Sequence, residues 1–181
     1  MDARLVLWFN SIVGRSGAVD ALIISFERIV PVILFLLLLG FIVWPGHPRR
    51  EKIFLAFVPL VSGLIARYIV TNAIRFFYDR PRPYEAYAIH NLFVKDNGSF
   101  PSGHAAFFFA LGTALYFYDK RWGIGFLCAA ALISFSRVAA GVHYPTDILG
   151  GAAIGVAVAL GVRYAVRRLE FVIRLPVEEN K

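Results

Sequence analysis

The sequence has one cysteine, Cys128, so no disulfide can form within the chain. It has no internal repeat, low-complexity tract or linker, which predicts a single domain over residues 1–181. Charged residues are scarce at 17%, whereas 59% of the residues are hydrophobic and the mean hydropathy is +0.65. Because roughly half of the residues in soluble domains are apolar, this composition excludes an ordinary soluble protein and indicates an integral membrane protein.

The few charges are mostly positive, with 19 Lys and Arg against 12 Asp and Glu and a formal net charge of +7. A basic chain can bind nucleic acid through a polar face that also carries stacking aromatic residues. Here the basic residues stand at the ends of apolar runs and in short clusters. We therefore expect no nucleic acid partner, and we expect anionic membrane lipids and phosphate groups instead.

Long apolar runs predict an all-α membrane bundle with about five spanning helices, since a span needs about 20 residues. The predicted spans are Val19 to Trp44, Ile53 to Phe77, Gly103 to Tyr118, Trp122 to Val138 and Pro145 to Val166. The apolar run within residues 1–18 is too short to span, so we expect a short N-terminal helix at the membrane interface.

The charge of the connections predicts the orientation of this bundle. Gly46 to Lys52, Asp119 to Arg121 and the tail from Arg167 fall on one side and are rich in Lys and Arg. The positive-inside rule makes that side cytoplasmic. The ends of spans two and four and the starts of spans three and five then meet at the external face. The polar residues that this topology gathers there are Arg75, Arg82, Ser102, His104, Arg137, His143 and Asp147.

The stretch from Ser136 to Asp147 is a basic and nucleophilic cluster between two apolar runs. Pro145 favours the start of a helix, which places His143 at the helix entry and Asp147 about one turn further on. A carboxylate at this spacing can accept the proton of one imidazole nitrogen and leave the other nitrogen as a nucleophile. A lone histidine before a helix is more often a cap or a packed core residue. Charged groups at membrane depth, such as Arg137, favour a functional site here.

Phosphate chemistry explains the rest of the cluster. Arginine offers a donor fork for phosphate oxygens, and a helix that begins at Ser102 offers free backbone N–H groups. We interpret His143 as a nucleophile that attacks phosphorus and His104 as the acid that protonates the leaving oxygen and then activates water. The histidines and Asp147 are also possible metal ligands, but the arginines would repel a cation, so no metal and no cofactor are expected.

Three motifs, in this order, resemble the signature of the type 2 phosphatidic acid phosphatase superfamily of membrane lipid phosphatases. They are Arg75, six residues and then Arg82-Pro83; Pro101-Ser102-Gly103-His104; and Ser136-Arg137 with His143 and Asp147. The resemblance implies that His143, Asp147 and His104 are catalytic. It also implies that the phosphate ligands are Arg75, Arg82, Ser102, Gly103 and Arg137. The superfamily usually has lysine at the position of Arg75, which keeps the charge but replaces a point donor by a fork.

In its small size, short interfacial entry segment and compact external loop, the chain looks most similar to bacterial undecaprenyl pyrophosphate phosphatases, which recycle the cell-wall lipid carrier at the outer face of the plasma membrane. The implied reaction converts undecaprenyl pyrophosphate to undecaprenyl phosphate through a phosphohistidine. Phosphatidate, phosphatidylglycerophosphate or a lipid A phosphate remain alternative substrates. A non-catalytic anion or lipid carrier is the alternative outside enzymes, and the histidine pair disfavours it. The sequence leaves open the lipid, its number of phosphates and the oligomeric state.

Three other charged residues are candidates for accessory roles. An antiparallel hairpin of the first two spans about the loop near residue 48 would place Glu27 and Arg67 at nearly equal depth, so we expect an ion pair between them, or a water-filled cavity that joins them to the site. A pair that only stabilises the bundle is the alternative. Arg80 is a candidate ligand for the distal phosphate of a diphosphate, although a loop arginine is more often solvated or bound to lipid headgroups. Gly151 and Gly155 fit a small-residue packing face on the last span.

Overall fold

The computed structural model describes residues 1–43, 49–95 and 97–174, so part of the predicted loop from Gly46 to Lys52 lies outside the described residues. The helices in these ranges are α1 (Asp2–Asn10), α2 (Gly17–Val43), α3 (Arg49–Leu64), α4 (Thr71–Phe77), α5 (Pro83–Ala86), α6 (Gly103–Tyr116), α7 (Lys120–Ala139) and α8 (Pro145–Arg174). A π-helical stretch, Ile65–Val70, joins α3 to α4. No strand occurs in the described ranges.

Four segments of the described chain are long and apolar enough to cross a membrane: Gly17–Gly40, Phe57–Phe77, Lys120–Ala139 and Pro145–Leu169. The remaining predicted span corresponds to α6, which has 14 residues. At 1.5 Å per residue α6 is about 21 Å long, shorter than the hydrocarbon core of about 30 Å. α6 is mostly buried and packs against α3, α7 and α8. The predicted all-α membrane bundle is confirmed, with α6 as its short central helix.

Small residues bring α6 and α8 into close contact. A Cβ at Gly151 would lie 2.4 Å from the backbone oxygen of Ser102, and a Cβ at Gly155 would lie 2.5 Å from that of Ala106. Larger side chains at these positions would therefore push the helices apart. The predicted packing face is confirmed, and it holds the start of α8 beside the start of α6. There the backbone N–H of Ser102 donates to the backbone oxygen of Asp147 at 3.0 Å.

A tight turn between α7 and α8 directs the chain back into the bundle. Gly141 has a φ of +75°, a left-handed conformation that a residue with a Cβ adopts only at a cost. The backbone N–H of Val142 donates to the oxygen of Arg137 at 3.2 Å, which satisfies one of the last carbonyls of α7. Pro145 is the first residue of α8, as predicted. The turn therefore places Arg137 and His143 at the same end of the bundle.

The two faces of α2 show how the bundle meets the lipid. Phe35, Leu36 and Leu39 are exposed on the outer face, which is favourable in hydrocarbon. Leu34 and Leu38 lie on the opposite face, where they pack against buried residues of α6 and α7. This core lies beneath the polar end of the bundle and separates it from the basic residues at the start of α7.

The N-terminal helix α1 packs against α7 and α8. Asn10, its last residue, is buried, and its Nδ2 donates to the backbone oxygens of Ala139 at 2.8 Å and His90 at 2.6 Å. Its Oδ1 accepts a hydrogen bond from the backbone N–H of His90 at 3.0 Å. A single side chain therefore ties α1 to the end of α7 and to the long loop that precedes α6.

Candidate active site

A cavity of about 230 Å³ lies at the polar end of the bundle. It is lined by side chains from α4, the loop after α4, α6, α7 and the turn before α8. Six residues of the three sequence motifs line it: Arg75, Arg82, Gly103, His104, Arg137 and His143. Arg67 and Lys95 add two cations to the walls. The convergence predicted from topology therefore occurs, around a strongly positive cavity.

His143 lies directly before α8, and Asp147 lies one turn further on. Nδ1 of His143 is 3.4 Å from Oδ2 of Asp147, which also accepts a hydrogen bond from the backbone N–H of Tyr144 at 2.8 Å. Burial lowers the pKa of His143 well below its ordinary value, and the positive charges of Arg137, Arg82 and Arg75 lower it further. The imidazole is therefore neutral. With its Nδ1–H directed to the carboxylate, Nε2 carries the lone pair.

His104 lies on the first turn of α6. Its Nδ1 faces a positively charged side chain, whereas Nδ1 of His143 faces a carboxylate. Nη1 of Arg67 lies 3.1 Å from Nδ1 of His104. A guanidinium group only donates hydrogen bonds, so Nδ1 is the acceptor and the neutral ring carries its proton on Nε2. Arg67 belongs to the π-helical stretch, where the hydroxyl of Thr71 donates to the backbone oxygen of Ala66 at 2.8 Å. Such stretches frequently occur at functional sites.

The predicted ion pair between Glu27 and Arg67 is wrong. Oε2 of Glu27 accepts a hydrogen bond from Nη1 of Arg137, and its Oε1 lies 3.4 Å from Nζ of Lys95. The prediction compared depth alone, whereas the rotation of α2 about its axis directs Glu27 towards α7. Both residues nevertheless belong to the surroundings of the cavity. Arg67 lines it directly, and Glu27 contacts two cations that line it.

Arg82 is held by the loop and by the turn before α8. Its guanidinium donates to the backbone oxygens of Asn97 at 2.8 Å, Val142 at 2.7 Å and Gly98 at 3.3 Å, and to Oδ1 of Asn97 at 2.7 Å. The side chain is only 2% exposed. Arg82 is therefore fixed before any ligand arrives. Asn97 and Lys95 were missed in the sequence, because a polar residue in a loop shows no periodicity or motif.

Arg75 and Arg137 each have an N–H group that can donate to a ligand. Nη2 of Arg75 donates to the backbone oxygen of Pro101 at 2.8 Å. The Nε atoms of Arg75 and Arg137 are both buried and have no hydrogen-bond partner among the residues that the structure describes. Buried donors without partners are unfavourable, so an anion that satisfies them would be stabilised in this cavity.

Ser102 does not line the cavity, although it was predicted to bind phosphate. Its side chain is buried, and its Oγ accepts a hydrogen bond from the backbone N–H of Ala105 at 3.4 Å, as a cap of α6. Its backbone N–H is taken by Asp147. Of the two residues predicted from this turn, Gly103 faces the cavity and Ser102 supports it.

Arg80 also lies outside the cavity walls, and its contact with a distal phosphate stays a prediction. Its Nη1 donates to Oδ1 of Asp147 at 2.7 Å and to Oγ1 of Thr146 at 2.8 Å, and its Nη2 donates to Oδ2 of Asp2 at 2.8 Å. Burial alone would raise the pKa of Asp2, but hydrogen bonds from Thr146 and Arg80 outweigh burial and lower it. The Arg80 guanidinium is therefore bound to two carboxylates, those of Asp147 and Asp2.

Known proteins resemble this chain in sequence and in fold. It is 27% identical over 154 residues to undecaprenyl-diphosphatase BcrC of Bacillus subtilis, which covers 83% of this chain and 78% of that protein. It is 30% identical over 112 residues to the lipid A 1-phosphatase of Rhizobium johnstonii, with 56% and 42% covered. The fold is similar to the crystal structure of Aquifex aeolicus LpxE, with a TM-score of 0.73, 26% identity, and 90% and 94% covered.

Residues 56–171, more than half of the chain, match the PAP2 superfamily. This range includes the three motifs and the helices that carry the motif residues on the cavity walls. Its relatives named above are phosphatases, and the bundle has several helices that are long enough to span a membrane. The chain therefore belongs to the PAP2 superfamily, as a multi-pass membrane lipid phosphatase that hydrolyses phosphoric ester bonds.

Proposed function

We propose that this chain removes the terminal phosphate of undecaprenyl pyrophosphate at the external face of the bacterial plasma membrane. The similarity to the Bacillus subtilis undecaprenyl-diphosphatase extends over 154 residues and supports this substrate. The charge of the cavity supports it as well, because a terminal diphosphate carries more negative charge than a phosphate monoester. The products are undecaprenyl phosphate and inorganic phosphate.

The observation that carries the proposal is the placement of His143 and His104 on the walls of one arginine-lined cavity. Nε2 of His143 attacks the terminal phosphorus, and a P–N bond forms as the P–O bond to undecaprenyl phosphate breaks. The arginines stabilise the charge on the equatorial oxygens. Asp147 accepts the Nδ1–H and stabilises the positive charge that the ring acquires.

His104 acts first as the acid that protonates the leaving oxygen and then as the base that activates water. Its doubly protonated form gives the Nε2 proton to the leaving oxygen. The neutral ring then accepts a proton from the water that attacks the phosphohistidine, the P–N bond breaks, and inorganic phosphate leaves. The guanidinium groups supply the positive charge in both steps, and the five cations around the cavity would repel a metal ion.

The position of the cavity supports access from the external leaflet. Lys120 and Arg121 begin α7, and Arg167 lies near the end of α8, so these basic residues stand at the other end of the bundle from His143. By the positive-inside rule, this charge distribution supports an external position of the cavity. Phe76 and Phe77, which follow Arg75, are 84% and 85% exposed. They provide apolar surface for the lipid tail beside the phosphate site.

Phosphate release by the purified chain in detergent with EDTA tests this function. We expect rapid release from undecaprenyl pyrophosphate, slower release from phosphatidate, and none with His143→Ala. His90→Ala is the matched control, because His90 is an exposed histidine away from the cavity. Faster release from phosphatidate would support a lipid phosphatase but overturn undecaprenyl pyrophosphate as its substrate. No release from any lipid phosphate would favour a carrier that only binds anions.

Lipid A is the second candidate substrate, because the chain is 30% identical to the lipid A 1-phosphatase of Rhizobium johnstonii over 112 residues. The same assay with lipid A compares the two directly. A higher kcat/KM for lipid A than for undecaprenyl pyrophosphate would assign the chain to lipid A dephosphorylation with the same residues.

A further inference from the structure

We infer that Arg80 is a positioning residue for His143, that it acts by holding the carboxylate of Asp147, and that Asp2 on α1 holds Arg80 in turn. This inference rests on the proposed function, in which His143 is the nucleophile. It gives the N-terminal helix a part in the site, although Asp2 lies outside the range 56–171 that matches the PAP2 superfamily.

The carboxylate of Asp147 is held on both sides. Its Oδ2 faces Nδ1 of His143 at 3.4 Å and accepts a hydrogen bond from the backbone N–H of Tyr144 at 2.8 Å. Its Oδ1 accepts a hydrogen bond from Arg80 at 2.7 Å. The carboxylate cannot rotate without losing one of these donors. Arg80 therefore keeps Oδ2 directed at the histidine.

Arg80 is itself fixed by the first turn of α8. Its guanidinium stacks on the ring of Tyr144, 3.8 Å from the ring centroid, and its Nη1 donates to the hydroxyl of Thr146 at 2.8 Å. These two residues flank Pro145, which begins the helix. The arginine side chain is 22% exposed, so it is largely enclosed by these contacts.

Asp2 completes the arrangement from α1. One of its oxygens accepts a hydrogen bond from Nη2 of Arg80 at 2.8 Å, and the other accepts from the backbone N–H of Thr146 at 3.2 Å. Asp2 therefore contacts both Arg80 and Thr146, to which Arg80 is itself hydrogen-bonded. The chain of contacts runs from Asp2 through Arg80 and Asp147 to His143.

The charges in this chain predict effects of opposite sign. The charged and titratable groups that act on His143 are Asp147 on α8, Arg82 in the loop, Arg75 on α4, His104 on α6 and Arg137 on α7, and Arg80 acts through its contact with Asp147. Without Arg80, the negative charge of Asp147 acts on His143 uncompensated, and the pKa of His143 rises. Without the charge of Asp2, Arg80 acts more strongly, and the pKa of His143 falls.

Steady-state kinetics of the full chain test these effects with Arg80→Met, Arg80→Lys and Asp2→Asn. We expect Arg80→Met to lower kcat about tenfold to hundredfold at unchanged KM, because it misplaces Asp147. The acid limb of its pH profile should move to higher pH, because His143 must be neutral to attack. Arg80→Lys should restore that limb. Asp2→Asn should lower kcat about fivefold, the effect of one hydrogen bond, and move the limb to lower pH.

Arg15→Met is the matched control, since Arg15 is an exposed arginine in the turn after α1. It should leave kcat and the pH profile unchanged. Equal pH profiles for Arg80→Met, Asp2→Asn and Arg15→Met would overturn the inference, as would shifts of Arg80→Met and Asp2→Asn in the same direction. A uniform loss of activity in both site variants without a change of profile would indicate a merely structural role and would also overturn it.

A substrate-free titration separates this inference from the proposed function. In protein labelled with ¹⁵N-histidine, the His143 signal is assigned by its loss in His143→Gln, and its titration is followed in each variant. Opposite shifts for Arg80→Met and Asp2→Asn support the inference even if the native chain hydrolyses no lipid phosphate. Titration of His143 that is unaffected by both variants overturns it even if the chain is an active phosphatase.

Discussion

His143 and His104 line the same cavity, but their Nδ1 atoms face groups of opposite charge. His143 faces the carboxylate of Asp147, which accepts a hydrogen bond, whereas His104 faces the guanidinium of Arg67, which donates one. The neutral rings are therefore held in opposite tautomers, with a lone pair on Nε2 of His143 and a proton on Nε2 of His104. The difference teaches that two identical side chains differ in their tautomers because of the residues that they contact, and in the proposed reaction this difference separates the nucleophile from the proton donor.

Without substrate, the neutral ring of His104 can donate a hydrogen bond from Nε2, but it cannot yet act as an acid. A neutral ring that gives up its only N–H becomes an imidazolate, so His104 must gain a second proton on Nδ1 before it acts as an acid. Arg67 occupies that nitrogen. An incoming phosphate offers Arg67 a stronger partner, because it carries negative charge whereas the His104 ring is neutral. We therefore expect substrate binding to draw Arg67 away and to allow His104 to be protonated.

The largest effect is expected from Asp147→Asn, which removes the carboxylate that fixes the tautomer of His143. An amide at this position can donate to Nδ1 and so favour the wrong tautomer of the nucleophile. We expect kcat to fall by about 10³-fold to 10⁴-fold, as for loss of the carboxylate in a hydrolase triad. Phosphate release under single-turnover conditions measures this, with thermal melting as the control for folding. A loss of less than tenfold would contradict the role assigned to Asp147.

A smaller effect is expected from Arg67→Met, which breaks the His104 side. It removes a cation from the cavity wall and the donor that fixes the His104 tautomer. We expect inhibition by inorganic phosphate to weaken about tenfold or more, as for one charge-assisted hydrogen bond. Arg67→Lys should recover most of the inhibition. Unchanged inhibition in Arg67→Met would show that Arg67 stays on His104 and does not reach the phosphate.

The smallest effect is a displacement of the pH profile, which sharpens the comparison without a mutation. An imidazole with an ordinary pKa of about 6.5 would be half protonated at that pH. Because burial and the neighbouring arginines lower the pKa of His143, the nucleophile stays neutral as the pH falls through this range. We expect the acid limb of kcat to lie below pH 6.5. Loss of half the activity on the acid side at or above that pH would contradict this.

Predictions from the sequence succeeded where the relevant contacts are local or follow from hydropathy. The pairing of His143 with Asp147 depends on four positions of one helix start, and the convergence of Arg75, His104 and Arg137 depends on the alternation of spans. They failed where the rotation of a helix decides the partner, as for Glu27. They also missed the contacts of Arg80 with Asp147 and Asp2, because its path in the loop depends on contacts with α1.

The sequence by itself determined the membrane bundle, the order of its spans and the pairing of His143 with Asp147. Hydrophobic length and the pitch of one helical turn are local properties, so they can be read along the chain. Only the tertiary structure decided that Glu27 binds Arg137, that Arg67 binds His104 and that Asp2 binds Arg80, pairs separated by 110, 37 and 78 positions. Their contacts depend on how the helices rotate and pack, because long side chains at similar depth can meet several partners.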